Sequence, residues 1–281
     1  MNLLRRPGLR TTLLLTPPML WLGVAYLAAL GALLVTAFWG QNSFTGDVER
    51  VFTLQNFKDL FTIEVYRTIT VRTLVIAATV TVVDGLLALP VAFYMAKVAS
   101  PRAQRLLVIA VLMPLWASYL VKAYAWRGMF SQDGLIAWAL APFGLGTPGY
   151  GIPATVITLA YLWFPYMLLP VYAGFERLPE SLLEASADLG GSHWMTIRKV
   201  ALPTAFPALV AGSIFTFSLS MGDYIAVKIV GGTNQMLGNV VYDSVGAAND
   251  LPFGAAVAMV PVAVMLVYLA LVRRTGALES L

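Results

Sequence analysis

Residues 68–96 read TITVRTLVIAATVTVVDGLLALPVAFYMA, and Arg72 and Asp84 are the only charged side chains in this run. A helix that crosses a bilayer needs about 20 consecutive, predominantly apolar residues. This run exceeds that length, and its charges are too few for a helix with one solvent-exposed face. The stretch therefore predicts a transmembrane helix over Thr68–Ala96.

Further segments of the same kind lie on both sides of this run. The predicted spans are Leu13–Trp39, Thr68–Ala96, Leu106–Ala125, Ile152–Phe175, Thr204–Val227 and Phe253–Val272. The first span follows Arg5, Arg6 and Arg10 as in a signal peptide, but its apolar run is too long for that, so we interpret it as retained. No soluble domain fits between the spans. The sequence thus predicts a single all-α membrane domain, residues 1–281, with six transmembrane helices.

Composition agrees with the membrane interpretation and excludes several classes of site. The chain is 59% hydrophobic and 11% charged, whereas soluble domains carry about 25% charged residues. Cysteine is absent and His193 is the one histidine, which excludes disulfides, Cys-ligated metals and His-rich metal sites. The net charge of +4 does not predict nucleic-acid binding, because the basic residues are scattered between apolar segments.

The basic residues indicate the orientation, since Lys and Arg accumulate in short cytoplasmic connections. With both termini in the cytoplasm, the inner segments hold the larger share. These residues are Arg5, Arg6, Arg10, Lys97, Arg102, Arg105, Arg177, Arg198, Lys199, Arg273 and Arg274. We therefore expect both termini to be cytoplasmic.

The most polar inner connection, residues 176–203, has the pattern of two short helices. Pro179 and Glu180 favour a helix start, and Gly190-Gly191 favours its end, because a left-handed cap needs no Cβ. Ser192 can cap a second helix, which Pro203 is expected to end. A helix–Gly–helix with one apolar face can insert into a partner protein. The alternative is an ordinary amphipathic loop that lies on lipid.

This connection resembles the EAA motif of ABC importer permeases, in which Glu-Ala-Ala precedes a glycine and a later Ile-x-Leu-Pro. The matching residues are Glu184, Ala185, Ser186, Gly190, Val200, Leu202 and Pro203; Ser186 and Val200 replace the usual Ala and Ile. Four other stretches resemble the spermidine/putrescine permeases. They are Met113–Trp126, Phe164–Pro170, Gly238–Tyr242 and Val272–Leu278.

The resemblance implies a type I ABC importer permease (MetI-like) fold in the bacterial inner membrane. It implies that Glu184, Ala185, Ser186, Gly190, Leu202 and Pro203 contact a cytosolic ATPase dimer. That ATPase would bind ATP and Mg²⁺, since this chain has no Walker A pattern and we expect no cofactor in it. A second permease, expected to be a paralogue, would complete the pathway, and an extracytoplasmic binding protein would deliver the cargo. The implied cargo is a polyamine (putrescine or spermidine), whereas related permeases carry phosphonates, thiamine-like molecules or other amines.

A cationic cargo would need carboxylates or aromatic faces along its path. Two acids fall inside predicted spans, Asp84 and Asp223, and an unpaired charge in mid-membrane costs roughly 2.5–3.5 kcal/mol. We expect Gly222 to break the helix and present Asp223 to a cavity. The aromatic candidates for the path are Trp116, Tyr119, Tyr166 and Tyr224.

Structural roles remain open for these path residues. Either acid could pair with a basic residue, such as Arg72 or Lys122, or form hydrogen bonds within the bundle. The aromatic residues could serve packing or interfacial anchoring.

Two other classes of membrane protein fit the sequence less well. A secondary transporter would couple to ions through intramembrane ionisable residues, commonly on inverted repeats, and we find two candidate acids and no repeat. An intramembrane metalloprotease needs H-E-x-x-H, which a single histidine cannot supply. A membrane serine protease would depend on His193, which lies in the predicted cytoplasmic connection. We therefore expect no catalytic residues and a transport function without enzymatic activity in this chain.

Overall fold

The computed structural model describes residues 7–42 and 45–273, with side chains from residue 14 onward. Within these residues the regular secondary structure is helical, apart from two short antiparallel strands of two residues each. They are β1 (Gly40–Gln41) and β2 (Val48–Glu49). Arg5, Arg6 and Arg274, which support the predicted orientation, lie outside the described residues, as does the side chain of Arg10.

The described residues form helices α1 to α13 in chain order. The first six are α1 (Pro7–Thr36), α2 (Gln55–Thr62), α3 (Glu64–Phe93), α4 (Pro101–Trp116), α5 (Tyr119–Met129) and α6 (Leu135–Leu140). The others are α7 (Ile152–Glu176), α8 (Glu180–Asp188), α9 (His193–Thr196), α10 (Leu202–Gly222), α11 (Ile225–Val230), α12 (Leu237–Gly246) and α13 (Leu251–Arg273). Wider π-helical turns extend α3 through Tyr94–Val98 and join α9 to α10 through Ile197–Ala201.

Five helical stretches among the described residues are long and apolar enough to cross a membrane. They are Leu14–Thr36, Glu64–Val98, Ile152–Glu176, His193–Gly222 and Leu251–Arg273. The bent pair α4–α5 brings the number to six, which agrees with the six-helix fold class predicted from the sequence.

The third predicted span, Leu106–Ala125, is not one continuous helix. The chain turns through 97° between α4 and α5, and Ala117 there has extended backbone, with ψ near 142°. The bend leaves the side chain of Trp116 92% exposed.

The centre of the fold is formed by α3, α7 and α10, which pack against one another. Small residues allow these helices to approach closely. A Cβ on Gly174 of α7 would stand 2.5 Å from the Cβ of Ala208 on α10, and one on Gly212 would stand 2.9 Å from the Met167 carbonyl oxygen. By contrast, α1 packs against α13, and none of its most apolar window is buried within the chain.

Candidate functional site

An interruption of the helix after α10 places an acidic residue inside the bundle. Helix α10 ends at Gly222, Asp223 has extended backbone with φ −71° and ψ 132°, and α11 begins at Ile225. Gly238 on α12 permits close packing here, because a Cβ there would stand 2.9 Å from the Asp223 carbonyl oxygen. The break expected from Gly222 is therefore present, and the predicted span Thr204–Val227 continues past it as α11.

The Asp223 carboxylate is held by donors from two different parts of the chain. Its Oδ2 accepts a hydrogen bond from the Tyr119 hydroxyl on α5, and its Oδ1 accepts one from the Ala226 backbone N–H at 2.9 Å. Asp223 is 7% exposed. The backbone N–H groups of Ile225 and Val227, at the start of α11, also point towards this carboxylate, so the start of that helix fixes its position.

Next to this carboxylate lies a cavity of about 280 Å³ with aromatic walls. Its lining comprises Tyr119, Trp163, Ser218, Leu219, Gly222, Asp223, Tyr224 and Ile225. One acid among aromatic faces is a suitable environment for an ammonium group, which is attracted to the carboxylate and to the π-faces. The structure therefore brings together three of the predicted path residues: Tyr119, Asp223 and Tyr224.

A second cavity, of about 540 Å³, adjoins the same break and shares Gly222 and Tyr224 with the first. Tyr224 stacks on Tyr242 of α12 with ring centroids 5.0 Å apart. The Lys228 ammonium stands 4.4 Å from the Tyr242 centroid and 3.4 Å from Oδ1 of Asp243. The Lys228 ammonium thus already lies over the ring of Tyr242.

Sequence reasoning missed Trp163 and Tyr242 as parts of this site. The ring centroid of Trp163 is 6.0 Å from that of Tyr119 and 5.8 Å from that of Tyr166, which it meets edge-on. Tyr166 therefore contacts a wall of the cavity, Trp163, but does not line the cavity itself. Tyr242 lies inside Gly238–Tyr242, one of the stretches that carry the family resemblance. Trp116 is on the exposed bend between α4 and α5 and does not line either cavity.

Asp84 lies apart from this site, in a different cavity between α3, α5 and α7. It is fully buried, and neither carboxylate oxygen has a hydrogen-bond partner within residues 7–42 and 45–273. Arg72, a suggested ion-pair partner, instead directs Nη1 to the carbonyl oxygen of Gln235 at 3.4 Å. Nor do the described residues contain an ion pair between Asp84 and Lys122.

The connection 176–203 forms a compact helical hairpin with the predicted caps. Gly190 ends α8 with a positive φ of 76°, and a Cβ on Gly191 would stand 2.7 Å from the Ser186 carbonyl oxygen. Ser192 caps α9 by accepting a hydrogen bond from the Met195 N–H. The Ser186 and Thr196 hydroxyls, 2.8 Å apart, join the two arms.

One arm of the hairpin differs from the prediction. Pro203 does not end the second helix, because residues 193–222 form one continuous helical stretch. The π-helical turn Ile197–Ala201 lies directly before Leu202 and Pro203. Such a turn widens the helix where a proline lacks its N–H and crowds the preceding carbonyl. The hairpin is consequently continuous with the fifth span, so a displacement of one is transmitted to the other.

The hairpin is anchored on one side and uncovered on the other. Leu178 is 2% exposed, and its carbonyl oxygen accepts a hydrogen bond of 2.7 Å from Lys97. In contrast, Leu189 and Trp194 are 89% and 69% exposed. Of the motif residues, Glu184, Ala185, Gly190 and Pro203 are exposed, and Ser186 and Leu202 are half-buried. The hairpin therefore presents an apolar surface that this chain does not cover.

Comparison with known proteins gives consistent results across nearly the whole chain. The family model described as "Binding-protein-dependent transport system inner membrane component" matches residues 9–276. The inner membrane ABC transporter permease protein YdcU of Escherichia coli (strain K12) is 42% identical, covering 98% of this chain and 92% of its own length. The spermidine/putrescine transport system permease protein PotB of the same organism is 30% identical over 78% of this chain and 80% of its own length.

A solved structure shows the same fold at low sequence identity. A chain from the crystal structure of a bacterial alginate ABC transporter, in complex with an alginate pentasaccharide-bound periplasmic protein, superposes with a TM-score of 0.78. The two chains are 14% identical, and the match covers 99% of this chain and 96% of that one.

Proposed function

Since this chain belongs to the family of binding-protein-dependent transport system inner membrane components, as the permease subunit of an ABC importer, we propose that its cargo is a small organic cation, with a polyamine such as putrescine or spermidine as the first candidate. The chain is a multi-pass protein of the inner membrane and not an enzyme. Importers of this family work with an ATPase and a substrate-binding protein.

The observation that carries the cargo proposal is the acid–aromatic cavity at the α10–α11 break. Asp223 faces a space walled by Tyr119, Trp163 and Tyr224, and no basic side chain among the described residues forms an ion pair with its carboxylate. Such a site attracts an ammonium group and disfavours an anion such as a phosphonate, because the anion would face the carboxylate directly. The polyamine permeases among the relatives support the same class of cargo.

The second part of the proposal concerns the energy for transport. The hairpin, residues 176–203, inserts its exposed apolar face, with Leu189 and Trp194, into a cytosolic ATPase dimer that binds ATP and Mg²⁺. Glu184, Ala185, Ser186, Gly190, Leu202 and Pro203 shape or line this contact. Because α9 continues into α10, a rigid-body movement of the ATPase moves the helix that ends at Asp223. A second permease, encoded as a paralogue of this chain, completes the pathway.

The test is uptake into liposomes that contain the complete transporter, with ATP inside and the binding protein outside. The cargo panel is putrescine, spermidine, a choline-like amine, a phosphonate and thiamine. We expect ATP-dependent uptake of the polyamines, reduced by Asp223→Asn. Uptake of the phosphonate in place of the cations would overturn the cargo proposal and leave the family assignment intact. Uptake of thiamine, itself an organic cation, in place of the polyamines would overturn only the polyamine as first candidate.

A further inference from the structure

A cavity of about 380 Å³ lies between α7 and α10 at the base of the hairpin 176–203. Its lining includes Ala173, Gly174, Arg177, Thr204, Pro207 and Ala208. Arg177 stands at the start of the hairpin, and Thr204 directly follows its end. The hairpin is therefore attached to the bundle on both sides of this cavity, which we call the hairpin cavity.

The hairpin cavity opens on the same face of α10 as the cavity at Asp223. Thr204 lines the first cavity and Gly222 the second. These two residues are about five turns apart at 3.6 residues per turn, so they share a helix face. Phe215 lies on this face between them, about two turns from Gly222, and its side chain is 55% exposed. This face of α10 therefore connects the two cavities.

Helix α7 repeats this arrangement on the opposite wall. Trp163 lines the Asp223 cavity and Pro170 lines the hairpin cavity, and the two residues share a face because they are about two turns apart. Tyr166 lies between them, with its side chain 38% exposed. Since α7 packs against α10, the two faces form one groove that runs from Asp223 to Arg177.

The two ends of this groove carry charges of opposite sign. Asp223 supplies a carboxylate at one end, and Arg177 supplies an exposed guanidinium at the other. No acidic side chain in the described part of the chain forms an ion pair with Arg177. The neighbouring Glu176 accepts a hydrogen bond of 3.0 Å from Tyr172 and does not line the hairpin cavity. An ammonium group is therefore attracted at the Asp223 end and repelled at the Arg177 end.

We propose that Arg177 is an electrostatic gate: its fixed positive charge blocks the passage of free cations through the hairpin end of the groove while that end is narrow. The inference rests on the proposed function, because it makes the groove the continuation of the cargo route from Asp223. The end is narrow in this structure, since α7 and α10 touch there, and a Cβ on Gly174 would stand 2.5 Å from that of Ala208. An arginine in a narrow pore excludes cations by the same repulsion.

The place of Arg177 also explains how a cationic cargo leaves. Arg177 and Thr204 flank the two ends of the hairpin, so a movement of the hairpin that separates them widens the hairpin cavity. Water and salt that enter then screen the charge, whose reach in solution is about 8–10 Å. The cargo passes in this widened state, whereas in the idle transporter the same end stays closed to cations.

The first experiment reads the charge at each end of the groove with thiol-reactive probes. The chain has no cysteine, so Thr204→Cys places a single thiol at the Arg177 end and Ser218→Cys a single thiol at the Asp223 end. The complete transporter, in nanodiscs without ATP, is treated with an anionic or a cationic methanethiosulfonate. Peptide mass spectrometry gives the modification rate of each thiol, which is divided by the rate of the same reagent with free mercaptoethanol.

We expect the anionic probe to be favoured about tenfold at Thr204→Cys and the cationic probe to be favoured at Ser218→Cys. Arg177→Gln should abolish the preference at Thr204→Cys, and Arg177→Lys, which keeps the charge, should retain it. Equal rates of both probes at Thr204→Cys, or an anionic preference that persists in Arg177→Gln, would overturn the gate. If only Ser218→Cys lacks its expected preference, the gate stands and the cargo site at Asp223 falls.

The second experiment measures the leak of a cation through the idle transporter. Liposomes that contain the complete complex, without ATP, are loaded with tetramethylammonium, which keeps its charge at every pH, and with uncharged erythritol. We expect Arg177→Gln to raise the efflux of tetramethylammonium at least about tenfold, while Arg177→Lys does not and erythritol efflux stays constant. Unchanged tetramethylammonium efflux, or a parallel rise in erythritol efflux, would contradict a gate that acts through charge. If the cation leaks as expected while liposomes fail to import polyamines, the gate stands and the proposed cargo falls.

Discussion

The hairpin 176–203 and the break at Gly222–Tyr224 are built in opposite ways. The two arms of the hairpin are joined by near neighbours, since Ser192 caps its own helix and Ser186 meets Thr196 ten positions away, although Lys97 anchors its start at Leu178. The break depends on distant elements, since Tyr119 and Asp223 are 104 positions apart. The hairpin can therefore keep its shape while it moves as a unit. The proposed cargo site must change whenever α5 and α10 move relative to each other, and this difference fits the proposed roles of coupling for the hairpin and gating for the break.

The largest effect is expected at the turn of the hairpin. Gly190→Val places a β-branched residue at a positive φ, which costs on the order of 1–3 kcal/mol and re-aims α8 against α9. We expect binding-protein-stimulated ATP hydrolysis to fall to the basal rate. Gly190→Asn is the matched control, because Asn tolerates this conformation. Equal losses in both variants would mean that backbone shape at this turn does not matter.

The next effect tests the break. Asp223→Asn keeps an acceptor for the Ala226 N–H but removes the charge that attracts an ammonium group. We expect transport of putrescine to lose roughly 2 kcal/mol, about thirtyfold in apparent specificity, while the thermal midpoint of the complex changes little. Radiolabelled uptake into liposomes measures it. Tyr119→Phe removes one hydrogen bond to Asp223, worth about 1 kcal/mol. If putrescine transport falls further in Tyr119→Phe than in Asp223→Asn, Tyr119 and not the Asp223 charge is the main determinant of cargo recognition.

A pair of substitutions separates the two faces of the hairpin. Trp194→Ala removes a 69% exposed side chain, so we expect a change in stability within about 0.5 kcal/mol and a loss of ATPase affinity of about 2 kcal/mol. Leu178→Ala removes most of a buried side chain and leaves a cavity, so it should lower the free energy of unfolding of the permease by about 2–5 kcal/mol. Thermal unfolding and ATPase co-purification distinguish them. Retained ATPase affinity in Trp194→Ala would remove this face from the interface.

The smallest effect is expected at the exposed cation beside the break. Lys228 pairs with Asp243 at 3.4 Å, and both side chains are partly exposed. An exposed pair of this kind contributes about 0–1 kcal/mol, so Lys228→Gln should barely change the thermal midpoint. A shift as large as that of Leu178→Ala would show that Lys228 supports the break structurally.

Local signals explain which parts of the structure the sequence predicted. The hairpin caps at Gly190 and Ser192 depend on residues next to each other, and the helix break at Gly222 likewise follows from a local Gly-Asp pair. The continuation of α9 past Pro203 was not predicted, because a π-helical turn absorbs the proline and sequence periodicity does not report it. The bend at Ala117–Ser118 was missed for a similar reason, since apolar composition continues through it.

Long-range packing explains what the sequence could not supply at the sites. Trp163 on α7 meets Tyr119 on α5 only once the two helices are packed. Similarly, Tyr242 on α12 stacks on Tyr224 only once α12 is packed against the α10–α11 break. Asp84 was identified from its charge in an apolar run, but its separation from Asp223 depends on which cavity each residue lines. Composition alone places both acids in the membrane and cannot assign them to different sites.

The most direct test of the account is ATP hydrolysis by the purified transporter in lipid, with its binding protein loaded with putrescine. We predict stimulation in the unsubstituted complex, no stimulation in Gly190→Val, and weakened stimulation in Asp223→Asn with the ATPase still bound. This outcome would place coupling in the hairpin and cargo recognition at the break. A complex that hydrolyses ATP equally with and without the putrescine-loaded protein, or with Asp223→Asn unchanged, would contradict the assignment of cargo to this break.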